Sequence, residues 1–204
     1  MKKSIMVLFT IFLSLSAVTT KAHQPNISSF ILIEKDPELW MLQLNASITA
    51  FEYEVKNEYG KDSYNSTEEF NQLLLKHLKE QITIKINDKN VPLKNGRVQL
   101  GHSTTIVFDL AKANDGITEE IFVKNNSFQN IYNSQTIFSI IKEEFDRTRS
   151  VLNKKNDFQI SVSLIDHQFI MEESPKNDIW FILFSLAVLI VIGIYSYSAT
   201  ATEN

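Results

Sequence analysis

Residues 29–55 read SFILIEKDPELWMLQLNASITAFEYEV, and how this stretch folds decides the architecture of the chain. Phe30, Leu32, Trp40, Leu42, Leu44, Ile48, Phe51 and Tyr53 give much of the alternation expected of a sheet with one buried face. Asp36 and Pro37 interrupt it with turn chemistry: Asp bonds its own backbone and Pro fixes φ. The stretch predicts a hairpin, with a strand over 29–34 and a longer one over 39–54.

Downstream, the polar run NEYGKDSYNSTEEF leads to Ser66 with Glu69 three residues later, the pattern of a capping box. Phe70, Leu73, Leu74 and Leu78 then recur at helical spacing, which predicts a helix over 67–80 packed by that face. His77 falls near the stripe and reads as a partly buried surface residue. Ile82, Ile84 and Ile86 alternate again, and Asn95-Gly96 carries a hairpin signal. Ile106, Phe108 and Leu110 mark a further strand, with others expected at 118–124, 135–141 and 158–165. The expectation is a mainly β, β-sandwich-like domain with one inserted α-helix.

The two ends supply an address. Residues 1–22 combine Lys2 and Lys3, an apolar run from Ile5 to Val18, and small residues up to Ala22, the composition of a signal peptide. Residues 179–199 hold no charge and reach the roughly 20 residues needed to cross a hydrocarbon core. Trp180, Tyr195 and Tyr197 stand where aromatic rings settle at membrane interfaces. The expected organisation is a signal peptide at 1–22, an extracytoplasmic domain at 23–169, a stalk at 170–178, a transmembrane helix at 179–199 and a cytoplasmic tail at 200–204. That places a single-pass protein in the cytoplasmic membrane with its domain outside, touching lipid through its C-terminal helix.

Residues 23–178 carry seventeen basic and twenty-three acidic side chains, a net charge of −6. An acidic surface opposes nucleic-acid binding, which needs a basic face against phosphate. The absence of cysteine removes disulfides, thiol catalysis and thiolate metal sites. The chain contains no HExxH, GxSxG, P-loop or GxGxxG, so it reads as non-enzymatic, with an exported hydrolase the weakest alternative. The loop from Asn57 to Glu69 is rich in oxygen donors but lacks the order of a calcium loop.

His23 has the sharpest chemistry. If processing follows Ala22, its terminal amine and imidazole Nδ1 can chelate one ion. A second imidazole from His102, His77 or His167 then makes a three-nitrogen site suited to copper or nickel. His23 and His102 are the candidate metal ligands. Glu52 and Glu54 share one face if FEYEV is a strand.

The runs AHQPNISSFILIE, ASITAFEYEV and VQLGHSTTIVFDL resemble the exported amino-terminal domain of bacterial HupE/UreJ-like membrane proteins, including small Bacteroidota relatives. The likeness covers roughly residues 22–110, with His23, Pro25, Gly101 and His102 matching the family pattern. That family is associated with nickel or cobalt transport, through a domain followed by several spans. A lone span cannot enclose a polar route, so the resemblance implies an accessory role with a partner protein in the envelope.

Overall fold

The protein was analysed as a computed structural model that describes residues 26–36, 39–111, 118–143, 145–166 and 168–172. The signal peptide, His23, Pro25, His167 and the expected span at 179–199 lie outside the described residues. Among the described residues, no helix is long and apolar enough to cross a membrane.

The described chain is mainly β. In order come β1 (Ile27–Asp36), β2 (Leu39–Ser47), α1 (Ile48–Tyr59), α2 (Thr67–Gln81), β3 (Ile82–Ile86), β4 (Lys89–Asn90) and β5 (Leu93–Gln99). There follow β6 (Ser103–Ala111), β7 (Glu120–Asn125), β8 (Gln135–Ile141), β9 (Thr148–Leu152), a single 3-10 turn (Lys154–Asn156), β10 (Gln159–Ile165) and β11 (Gln168–Glu172). One sheet has the order β5-β6-β2-β1-β8-β9 and the other β11-β10-β7-β3-β4. Every described pairing is antiparallel except that of β1 with β8.

Alternation explains the core. Phe30 and Leu32 of β1, Trp40, Leu42 and Leu44 of β2, and Ile106, Phe108 and Leu110 of β6 all turn inward and are fully buried. They join one hydrophobic cluster with Ile84 of β3, Val123 of β7 and Val162 of β10, and with Phe51, Leu74 and Leu78 of the helices. Both sheets and both helices therefore share a single core.

The strand expected over 39–54 ends at Ser47, and α1 takes its second half. Ser47 sits in extended backbone, and its Oγ accepts a hydrogen bond from Ala50 N at 3.2 Å, the role of a helix N-cap. Beyond it, buried Ala50, Phe51, Glu54 and Val55 follow helical spacing. The domain thus has two helices rather than one inserted helix. Glu52 and Glu54 also do not share a face: Glu54 is buried, whereas Glu52 forms an exposed pair with Lys56 at 3.8 Å.

α2 forms where its cap places it. Ser66 Oγ accepts from Glu69 N at 3.2 Å. Glu69 Oε2 reaches back to accept from Asn65 N at 2.6 Å, one residue beyond the usual reciprocal partner, the N–H of Ser66.

Asn95-Gly96 is not a hairpin turn. It is a bulge inside β5, where the register against β6 shifts between Lys94 and Arg97. Asn95 takes the positive φ of 49° and donates through Nδ2 to Asp109 Oδ2 at 3.0 Å. Arg97 grips the same carboxylate at 2.8 and 3.3 Å; its hydrogen bonds, then that of Asn95, hold Asp109 below the ordinary carboxylate range. The reversal comes later, between β5 and β6. A two-residue turn does form at Asn87-Asp88, both at positive φ, between paired Ile86 and Lys89. β11 runs to Glu172, so the last strand enters the segment assigned to the stalk.

Candidate functional site

Three segments distant in sequence converge on a groove of about 660 Å³. The start of α1 contributes Ile48 and Glu52, the approach to α2 contributes Tyr64 to Thr67 and Phe70, and the β5–β6 turn contributes Leu100, Gly101 and His102. The Tyr64 and Phe70 rings lie 5.0 Å apart in a tilted pair and give the groove an aromatic wall. The turn is pinned by Thr104, whose hydroxyl donates to Gly101 O at 3.0 Å and accepts from Gly101 N at 3.3 Å. The groove therefore has apolar walls with a polar rim that includes Glu52 and His102, the mixture a recognition site requires.

His102 and Gly101, singled out from sequence, line this groove. Its proposed partner His23 lies outside the described residues. Among the described residues, no group of three or more His, Asp or Glu side chains is arranged to hold a metal ion. The acidic loop before α2 is partly explained by capping, since Glu69 is engaged with Asn65.

His77 is not at the surface. It is 2% exposed, and α1 and α2 press it and Glu54 against the segment between β7 and β8. Glu54 Oε1 accepts from Asn130 N at 3.2 Å and Oε2 from Asn130 Nδ2 at 2.9 Å. His77 Nε2 lies 3.1 Å from Ser127 O; a carbonyl only accepts, so Nε2 carries the proton. Among the described residues, His77 Nδ1 and Ser127 Oγ have no hydrogen-bond partner.

Glu54, His77 and Ser127 have the residue types of a hydrolytic triad but not its geometry. The imidazole nitrogen that would deprotonate a serine is bound to a main-chain carbonyl, and Ser127 is fully buried. The cluster ties both helices to the β7–β8 segment.

Burial raises the Glu54 carboxyl above its ordinary 4.5, against the opposing effects of Asn130 and His77. The folded chain therefore keeps this proton to higher pH than the unfolded chain. The contribution of Glu54 to stability is full below 4.5 and is lost as pH rises through the folded value. Glu54→Gln should flatten that slope, so the stability difference between variant and parent should move in the variant's favour from about pH 4 to about pH 8. Urea titrations of both proteins across that range measure it; a constant difference refutes the assignment.

Tyr59 and Glu80 form a second link between the helices, with the phenol donating to Glu80 Oε2 at 3.2 Å. Burial, then that carboxylate, pushes the Tyr59 hydroxyl up to about 12. No protein-family model matches the chain, and no curated protein matches it.

Proposed function

We propose that the chain is a non-enzymatic, membrane-anchored accessory domain of the bacterial envelope, held outside the cytoplasm, that receives a segment of a partner protein in the groove between α1, α2 and the β5–β6 turn. In this reading residues 1–22 direct export, residues 179–199 anchor the chain in the cytoplasmic membrane, and the two sheets pack as a β-sandwich-like body. The observation that carries it is the chemistry of the groove. Tyr64, Phe70 and half-exposed Leu100 supply apolar anchors, while Glu52, Asn65 and His102 supply a polar rim. The resemblance to HupE/UreJ-like exported domains supports an accessory role.

A photo-crosslinking residue at Leu100, introduced into the full chain in its native host, should capture one discrete envelope protein. The same residue at Val151, equally exposed but outside the groove, should not. Leu100→Glu should abolish capture by a crosslinker placed at Tyr64. Equal capture at positions 100 and 151 overturns the reading.

His102 on the groove rim favours a second reading, in which copper or nickel binds between His102 and the amine and imidazole of His23. Titration of either ion into the mature full chain should then lose at least tenfold in affinity on His102→Gln. A mature terminus other than His23 removes this reading and leaves the first intact.

A further inference from the structure

A second cleft, of about 450 Å³, opens between the β7–β8 connection and the 3-10 turn before β10. Its composition differs from that of the groove. One wall carries Tyr132, whose side chain is the most exposed of the large hydrophobic residues described, at 86%. The other carries Lys154 and Lys155, and amide groups of Gln129 and Gln135 complete the lining. Ser134 also lines the cleft, with its Oγ buried and without a hydrogen-bond partner among the described residues.

The charge is local and unusual. The described domain belongs to an acidic segment, but among the described residues neither Lys154 nor Lys155 has an ion-pair partner. The nearest acid in the chain, Asp157, is already taken by Lys124 at 2.7 Å. Two cations facing a cleft with no internal counter-ion select an anionic ligand.

The basic ledge is also held in place. Asn153 and Asn156 cap the 3-10 turn reciprocally, with Lys155 N bonded to Asn153 Oδ1 at 2.8 Å and Asn153 N bonded to Asn156 Oδ1 at 2.9 Å. Asn156 Nδ2 donates to Val151 O at 2.8 Å. Phe158, which lines the cleft, has a φ of 54°, a conformation that a bulky side chain rarely adopts. Asn133 and Asp157 are also at positive φ. Phe158 is locked there from both sides, its N–H donating to Asn153 O and its carbonyl accepting from Asn125 N, each at 2.9 Å. Strained backbone fixed this firmly beside an open cleft is a mark of a prebuilt binding site.

We propose that this cleft binds an acidic sugar: a pyranose that lays its apolar face on Tyr132, offers hydroxyls to Gln129 and Gln135, and presents a carboxylate to Lys154 and Lys155. A sugar ring suits an exposed phenol because its axial C–H groups meet the electron-rich face. The carboxylate distinguishes it from neutral glycans, for which two cations have no use.

The test uses the full chain in detergent and two acid–ester pairs of probes, the two members of each pair sharing one ring structure. Trigalacturonate and triglucuronate carry free carboxylates, and their methyl esters do not. Calorimetry should show the acids binding at least about tenfold more tightly than the esters. Tyr132→Ala should weaken acid binding about tenfold, and Lys154→Ala with Lys155→Ala should erase the preference for acid over ester. Gln135→Ala should weaken both probes without changing that preference. The lysines and Tyr132 lie at the surface, and circular dichroism checks that each variant folds. Equal binding of acid and ester, no binding of either acid, or binding indifferent to Tyr132 would each overturn the assignment. None of these outcomes bears on the groove, which lies among other residues.

Discussion

Phe138→Ala is expected to lower the free energy of unfolding by about 3–5 kcal/mol, the cost of emptying a phenyl-sized volume in a packed core. Phe138 is fully buried on β8, directly opposite Phe30 in the parallel register with β1, and the two rings lie 5.9 Å apart. Its loss affects more than one strand, because β9 joins the sheet only through β8. Urea unfolding of the full chain measures the effect. Ile137→Ala is the control: Ile137 sits one residue away on the opposite face, is 40% exposed, and should change stability by less than about 1 kcal/mol. Similar losses for the two variants would mean that β8 does not present Phe138 to the core.

Gly96→Ala should destabilise by about 1–3 kcal/mol through overpacking. A Cβ at position 96 would stand 2.6 Å from Leu75 Cδ2 and 2.7 Å from Phe108 Cε1. Leu75 is only partly buried and can rotate, but Phe108 is fully buried in the centre of the cluster. The bulge in β5 therefore needs glycine for close approach to α2 and β6. Leu75→Ala in the Gly96→Ala background should recover part of the loss, a coupling that a double-mutant cycle reads directly. Additive losses would place the cost elsewhere.

Much of the sheet was legible because its strands alternate cleanly. Phe30 and Leu32 of β1, Trp40, Leu42 and Leu44 of β2, and Ile106, Phe108 and Leu110 of β6 turn inward at every second residue, and the period of two needs no further information, whereas Phe138 and Ile141 of β8 also fit a helical spacing. The error at 48–55 has a physical source. Phe51, Tyr53 and Val55 are good strand formers by type, whereas the decisive signal was Ser47, a capping residue after which Ile48, Phe51 and Val55 recur with helical period. Asn95-Gly96 shows a different limit. Its chemistry permits positive φ, but whether that ends a strand or bulges it depends on the pairing partner, here Asp109 and Val107 on β6. β9 and β11 are short and turn few side chains fully inward, so they left little pattern to read.

The candidate sites were less legible than the fold. His102 was identified as a residue, but the groove it borders takes one wall from α1, which begins at Ile48 and which the strand reading concealed. The sugar cleft had even less signal. Tyr132, Ser134 and Lys154 lie in connections, where residue type reports little and backbone geometry decides which side chains meet.

The parallel pairing of β1 with β8 sets an order of events during synthesis. β1 is an interior strand, yet one of its edges is completed by residues such as Thr136, which follows its partner Ser28 by 108 positions. At roughly 5–20 residues per second, a growing chain displays that unpaired edge for about 5–20 s before β8 is made. Bare strand edges invite pairing with other chains. The nascent domain therefore stays vulnerable to aggregation until β8, which ends at Ile141 of 204 residues, has emerged to cover that edge.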